Sequence, residues 1–349
     1  MTGEKYIKRD KVVGVLGGKG VIGKQVIHLI TADNISVLCG TRRINADNGS
    51  EQYVDLEDEA SVVAFVQKCD VVVNCTGPSF LTSKKVLPIV IGQKKDFIDA
   101  FGWIKDSQKV AHGVSRIVLN AGSVPGLLGV LIKEMISKQT KEIEVFSGGY
   151  EKGSIASVGD ILISSINGYA HSKCYCACGQ LVRDNKMAES DIGITEEAYV
   201  QEVATEETRR ISESFKVPVL RNYNIWSDHK LTEIITAGCV QAMQCKDEKA
   251  YMDLFTDVFA KISDIADEDK EPWYVIKIKA MEEEFSECMQ IHTNDSGKLT
   301  ASMVAYCVKK LLEEKLEPGI YWPYEIADSK KVIAYLEELS FEVERYGEL

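Results

Sequence analysis

Three glycines, Gly18, Gly20 and Gly23, stand between a strand-like run, Lys11 to Leu16, and a helix-like run, Val21 to Ile30. That placement constrains the chain more than any other feature. A G-x-G-x-x-G between strand and helix predicts a dinucleotide cradle. The first glycine permits the turn, the second admits backbone N–H groups to a pyrophosphate, and the third lets helix and strand pack closely. The phosphates would sit at the positive end of the helix, along Gly18, Gly20, Val21, Ile22 and Gly23.

The following strand, Ile35 to Cys39, decides which dinucleotide is expected. A NAD site usually ends that strand in an acid that accepts from the ribose hydroxyls. Here the strand runs into Gly40-Thr41-Arg42-Arg43. A hydroxyl and two guanidiniums suit a 2′-phosphate, because arginine forks match phosphate oxygens. NADP is therefore favoured over NAD, with the choice between Arg42 and Arg43 left open.

From Lys11 to about Gly122 the pattern repeats as strand, loop and helix, which predicts a doubly wound parallel sheet of Rossmann type. Strands are expected at Gln52 to Asp55, Val71 to Asn74, Phe97 to Asp99 and Ile117 to Asn120, with helices from near Glu57 and over Ser83 to Ile91. The pattern then changes. A second α/β domain with a mixed or antiparallel sheet is expected, with a strand at Ile143 to Gly149, a helix at Val158 to Tyr169 and a hairpin of Trp273 to Ala280 with Phe285 to His292. Asp184 to Ile211 gives few strand signals. A helix over Thr300 to Leu312 follows.

In open α/β sheets the residues just beyond the strands meet the ligand. Asp55 would accept from the adenine amino group or cap the next helix. Thr76, Gly77 and Pro78 would let backbone approach the nicotinamide-side ribose. Asp99 would orient substrate or move a proton, or only cap its turn. Of the five histidines, His229 is the best proton-transfer candidate, with a plain surface histidine as the alternative, and Arg221 with Tyr223 would clamp a substrate carboxylate or serve only structure.

The chain's 349 residues carry 41 Lys and Arg against 53 Asp and Glu, a net charge of −12. That balance argues against nucleic acid as a partner. No apolar run reaches the roughly 20 residues of a membrane span, and the start lacks the apolar core of a signal peptide, so a cytoplasmic location is expected. The ten cysteines show no C-x-x-C spacing. Cys174, Cys176 and Cys178 read as one face of a strand, and no metal site is expected.

Taken together, Gly17 to Gly23, Gly40 to Arg43, Asn74 to Pro78, Phe97-Ile98-Asp99, Gly122 to Gly126, Asp295 to Thr300 and Pro318 to Pro323 resemble the saccharopine dehydrogenase-like family. The resemblance implies a split architecture, with residues 1–123 and 296–349 forming the dinucleotide domain, whose C-terminal helix returns to it. Residues 124–295 would form a substrate and dimerisation domain. It also implies NAD(P)-linked hydride transfer, often at an imine formed from an amino acid and a carbonyl partner, and a homodimer. Two departures stand out: Thr41 separates the strand-end glycine from the arginines, and the middle region matches no amino-acid-binding positions of the family. The expected function is an NADP-dependent oxidoreductase acting on C=N or C=O of a small molecule, with a carboxylated substrate suiting Arg221. The alternatives are an NADP-binding sensor or scaffold without turnover, and a reductase of activated C=C bonds.

Overall fold

The computed structural model describes residues 11–44, 49–105, 110–184, 198–267 and 269–348. Its first half alternates β1 (Val12–Leu16), α1 (Val21–Ala32), β2 (Ser36–Thr41), β3 (Glu51–Tyr53), α2 (Glu59–Val66), β4 (Val71–Asn74), α3 (Ser79–Gly92), β5 (Asp96–Asp99) and β6 (Arg116–Val118). Successive residues of β1, β4, β5 and β6 are buried on opposite faces, which is what a parallel sheet with two covered faces demands. Val13, Val15, Val71, Val73, Ile98 and Val118 join one core. Leu16, Val72, Phe97 and Ile117 join the other, under Val62 and Phe65 of α2 and Val86 and Val90 of α3.

The middle of the chain contributes α4 (Leu127–Met135), β7 (Glu142–Tyr150), α5 (Ile155–Ile166), β8 (Ala170–Ser172), β9 (Cys174–Ala177), β10 (Gln180–Arg183), β11 (Tyr199–Thr205) and α6 (Glu206–Phe215). It continues through β12 (Val219–Trp226), α7 (His229–Ala242), α8 (Glu248–Asp264), β13 (Trp273–Met281) and β14 (Ser286–Thr293). The last part is α9 (Ser296–Glu313), β15 (Gly319–Tyr321), α10 (Pro323–Ile326), α11 (Ser329–Glu338) and β16 (Val343–Glu348).

The first sheet has seven strands in the order β15-β6-β5-β4-β1-β2-β3, every pair parallel. Its order reverses between β1 and β4, so the loops after those two strands flank the crevice where such folds take ligands. The second sheet is mixed and follows β10-β9-β12-β7-β13-β14-β16, with β11 pairing β12 and β8. Ile143, Val145, Leu220, Ile276 and Ile278 point from it into the large core shared with α4, α5, α6 and α9. Phe146, Tyr223, Ile225, Trp273 and Val275 form a smaller cluster. Glu207 of α6 is fully buried and ties the two layers: its Oε1 accepts from Gly126 N at 2.8 Å and Gly129 N at 3.1 Å, at the start of α4.

Several elements depart from the sequence expectations. The helix expected near Glu57 begins at Glu59, because Asp58 is the residue that caps it. The stretch that shows few strand signals contains β11 and most of α6, and residues 185–197 within it lie outside the described residues. The carboxyl-terminal segment divides. While α9 packs on α1 and β15 extends the parallel sheet beside β6, β16 pairs with β14, so residues Val343–Glu348 belong to the second sheet.

Candidate cofactor and substrate cleft

The glycine turn is built one position earlier than the motif suggests. Gly17, not Gly18, carries the positive φ, +72°, and Gly20 N donates to Gly17 O at 2.8 Å. A Cβ at Gly23 would lie 2.3 Å from that same carbonyl oxygen. Glycines at 17, 20 and 23 therefore carry the turn, while Gly18 is held small by Cys39 Sγ, 2.6 Å from where its Cβ would be. The first turn of α1 contains no acidic residue and Gly20 provides no side-chain cap. The positive helix end is left open to a bound anion.

At the end of β2, Thr41, Arg42 and Arg43 line the same cleft. Arg42 and Arg43 are exposed, and neither guanidinium has a partner among the described residues. Lys19 is committed instead, 2.8 Å from Glu51 Oε2 and 2.6 Å from Arg43 O. Asp55 also lines the cleft, and its Oδ1 accepts from Glu57 N at 3.1 Å. It therefore shapes the turn before α2 and leaves the helix cap to Asp58.

Beyond β4, a buried polar knot fixes the Thr76-Gly77-Pro78 floor. Asn74 is wholly buried. Its Nδ2 donates to Asp99 Oδ2 at 2.6 Å, and its Oδ1 accepts from Thr76 N at 3.2 Å. Asp99 also accepts from Ser83 Oγ at 2.6 Å, Phe101 N at 3.1 Å and Gly102 N at 2.7 Å. Burial pushes the pKa of Asp99 up against the pull of these donors. Fully buried and absent from the cleft wall, Asp99 anchors loops from behind. The expected proton-transfer role does not suit that position.

The facing wall comes from the second domain, through the β7–α5 segment around Glu151 and Lys152, the start of α5 and Tyr274, and is completed by Ser296 at the start of α9. Glu151 accepts from Ser296 N at 2.6 Å, and burial raises its pKa. Lys152 is exposed on this wall with no partner among the described residues. Asp160 is the residue that sequence reasoning missed. It lines the cleft from α5, and its Oδ1 accepts from Phe80 N at 3.3 Å. Burial, reinforced by the nearby Asp99 carboxylate, pushes its pKa up to about 7 against the opposing Ser79 and Phe80 N–H bonds. A cleft carboxyl whose pKa burial raises in this way is a functional-site candidate. Behind it, Phe80 and Phe101 of the first domain pack edge-on against each other at 5.0 Å and against Tyr169 at 6.1 and 5.5 Å, which seams the two domains together.

Three expected substrate-side residues lie elsewhere. The Arg221 guanidinium, on β12, is held by Glu202 at 2.6 Å, Asp184 at 3.0 Å and Glu142 at 3.1 Å, and rests on the Tyr175 ring. Its donors are committed, so it cannot clamp a substrate carboxylate. Tyr223 is buried and stacked on Phe146 at 4.9 Å. His229 is the exposed first residue of α7, 3.4 Å from Glu233. None of the three lines the cleft.

The cleft encloses about 1880 Å³, well above the roughly 300–1,000 Å³ of an ordinary small-ligand pocket. It has room for an extended dinucleotide and a second molecule. The model of the NAD dependent epimerase/dehydratase family matches residues 13–89, the first glycine turn and its neighbours. Apo saccharopine dehydrogenase (L-Glu forming) from Saccharomyces cerevisiae superposes over 97% of this chain and 100% of its own, with a TM-score of 0.64 at 13% identity. The chain has the two-sheet fold of saccharopine dehydrogenase. A meso-dapdh variant from Clostridium tetani E88, solved with DAP, covers 94% of this chain and 98% of its own, with 15% identity and a TM-score of 0.45. UDP-N-acetylglucosamine 4-epimerase from Bacillus cereus covers 29% of this chain and 44% of its own, with 16% identity and a TM-score of 0.22. No curated protein sequence matches the chain. Among the described residues, no helix is long and apolar enough to cross a membrane, and no group of three or more His, Cys, Asp or Glu is placed to hold a metal ion.

Proposed function

We propose that this protein is an NADP-dependent oxidoreductase that transfers a hydride to or from a C=N or C=O bond. The observation that carries the reading is the pair of guanidiniums, Arg42 and Arg43, without a partner among the described residues, beside a glycine turn in a cleft large enough for two molecules. The residues fit the cofactor. A side chain at Gly20 would meet only the Gly17 carbonyl, at 3.2 Å, and the open N–H groups of Val21 and Ile22 at the start of α1 suit a pyrophosphate. Arg42 and Arg43 suit a 2′-phosphate, with Thr41 beside them. Thr76, Gly77 and Pro78, held from behind by Asn74, form the floor for the nicotinamide half.

The cofactor, when bound, supplies the hydride; the protein supplies position, electrostatics and exclusion of water. The β7–α5 wall shields the reacting end, and Lys152 is the cation there for a carboxylated substrate. The likeness in fold to an L-Glu-forming saccharopine dehydrogenase supports a substrate class derived from an amino acid. NADPH consumption with panels of an amine and a 2-oxo acid tests turnover. Substrate-dependent oxidation that is lost in Lys152→Ala, with NADPH binding retained, supports the reading. NADPH binding without turnover across the panel favours a sensor or scaffold.

A further inference from the structure

The Gly77–Phe80 segment, which follows β4 at the reversal point of the sheet, is gripped from outside its own domain. Ala156, Gly159 and Asp160 form one face of α5 against it. A Cβ at Gly77 would lie 2.7 Å from Ala156 Cβ, and a Cβ at Gly159 would lie 2.5 Å from Pro78 Cγ. The small residues bring the helix onto the loop, and the carboxylate closes the contact by accepting from the first N–H groups of α3. Asp269 and Glu271 line the cleft from the segment between α8 and β13 and make no hydrogen bond to this loop among the described residues, and several other cleft carboxylates are committed. Glu57 and Glu248 hold Lys85, Glu151 holds Ser296, and Asp295 holds Gln25 and Lys298 N. Asp160 is thus the acid that the second domain sets directly against the loop where the nicotinamide-side ribose is expected.

We propose that Asp160 belongs to the cofactor site. Its carboxylate accepts a hydrogen bond from a hydroxyl of the nicotinamide-side ribose while it holds the start of α3, so both domains grip the bound cofactor. The inference rests on the NADP reading of the cleft. Carboxylates already serve ribose hydroxyls at the adenine end of folds of this type, and the N–H groups of α3 keep the charge of Asp160 tolerable in a half-buried position.

Fluorescence titration of the full chain with NADPH, and competition with adenosine 2′,5′-bisphosphate, test the proposal, because the bisphosphate lacks the nicotinamide-side ribose. Asp160→Asn retains an acceptor for the α3 N–H groups but removes the charge. It should weaken NADPH binding by about tenfold, the scale of one charge-assisted hydrogen bond, and leave the bisphosphate unaffected. Asp160→Ser, which also retains a short capping oxygen, should behave alike and guards against one variant failing to fold. Equal weakening of both ligands, or of neither, overturns the proposal. A wild-type chain that binds neither ligand overturns the NADP reading itself, and the role of Asp160 with it.

Discussion

Arg42 and Arg43 at the rim of the parallel sheet differ from Arg221 in the mixed sheet in one respect that matters: how much of their hydrogen-bonding capacity the fold has already used. Arg221 is surrounded by three carboxylates and an aromatic ring and is 7% exposed. The rim arginines are exposed, line a cleft and have no partner among the described residues. In the sequence all three read as anion-binding candidates. An arginine is available to a ligand only where the chain has not brought acids to it.

The sharpest way to break that distinction is to remove each charge in turn. Arg221→Ala should destabilise the fold by about 3 kcal/mol, since it strands the buried Glu202 carboxylate without its cation. Chemical denaturation checks this, and the variant, once folded, should bind NADPH as the wild type does. A loss of cofactor affinity without a loss of stability would place Arg221 in a site after all. The double variant Arg42→Ala with Arg43→Ala should show the opposite pattern. Stability should stay within about 0.5 kcal/mol, while NADPH affinity falls by roughly 10- to 100-fold, the scale of lost charge-assisted bonds to a phosphate.

A smaller effect distinguishes acids that are buried without a cation from those that are paired. Burial pushes Glu207 up to about 7, against the pull of the Gly126 and Gly129 N–H groups. The native state therefore holds a proton that the unfolded chain releases between about pH 4.5, the ordinary glutamate value, and about pH 7. Stability should fall as pH rises through that window and stay lower above it. Asp160, also raised to about 7, acts with the same sign. Melting temperatures at pH 5.5 and 8 should differ in that direction, and Glu207→Gln, which still accepts from both N–H groups, should narrow the gap. The smallest effect is expected at His229. Exposed at the start of α7, its change to Ala should alter stability by less than about 0.5 kcal/mol and leave NADPH affinity unchanged.

What the sequence made legible is local. The Val-rich strands and the glycine turn announce themselves because their signals lie within a few residues, and the same is true of the Gly40–Arg43 strand end. Even there the motif does not single out Gly17, because only the backbone shows that it takes the positive φ. The second wall of the cleft is non-local. Nothing near Asp160 says that Ala156 and Gly159 will seat it against Gly77–Phe80, about eighty positions upstream in the chain. The three acids around Arg221 come from β7, β11 and the end of the β10 segment, so its commitment was equally invisible. Some signals were present and unread: in α8, Tyr251, Phe255, Val258 and Ile262 recur at helical spacing behind the capping Asp247. The strand β16 is harder to see, since Val343–Glu348 is mostly polar and gains its place only by pairing along β14.

The central claim is that the rim of the first sheet reads a 2′-phosphate. Calorimetric titration of the wild-type chain with NADPH and with NADH, under the same buffer and salt, tests it most directly. One NADPH site per chain, at least tenfold tighter than any NADH site, is the predicted result. Equal affinity for the two, or binding of neither, would contradict it.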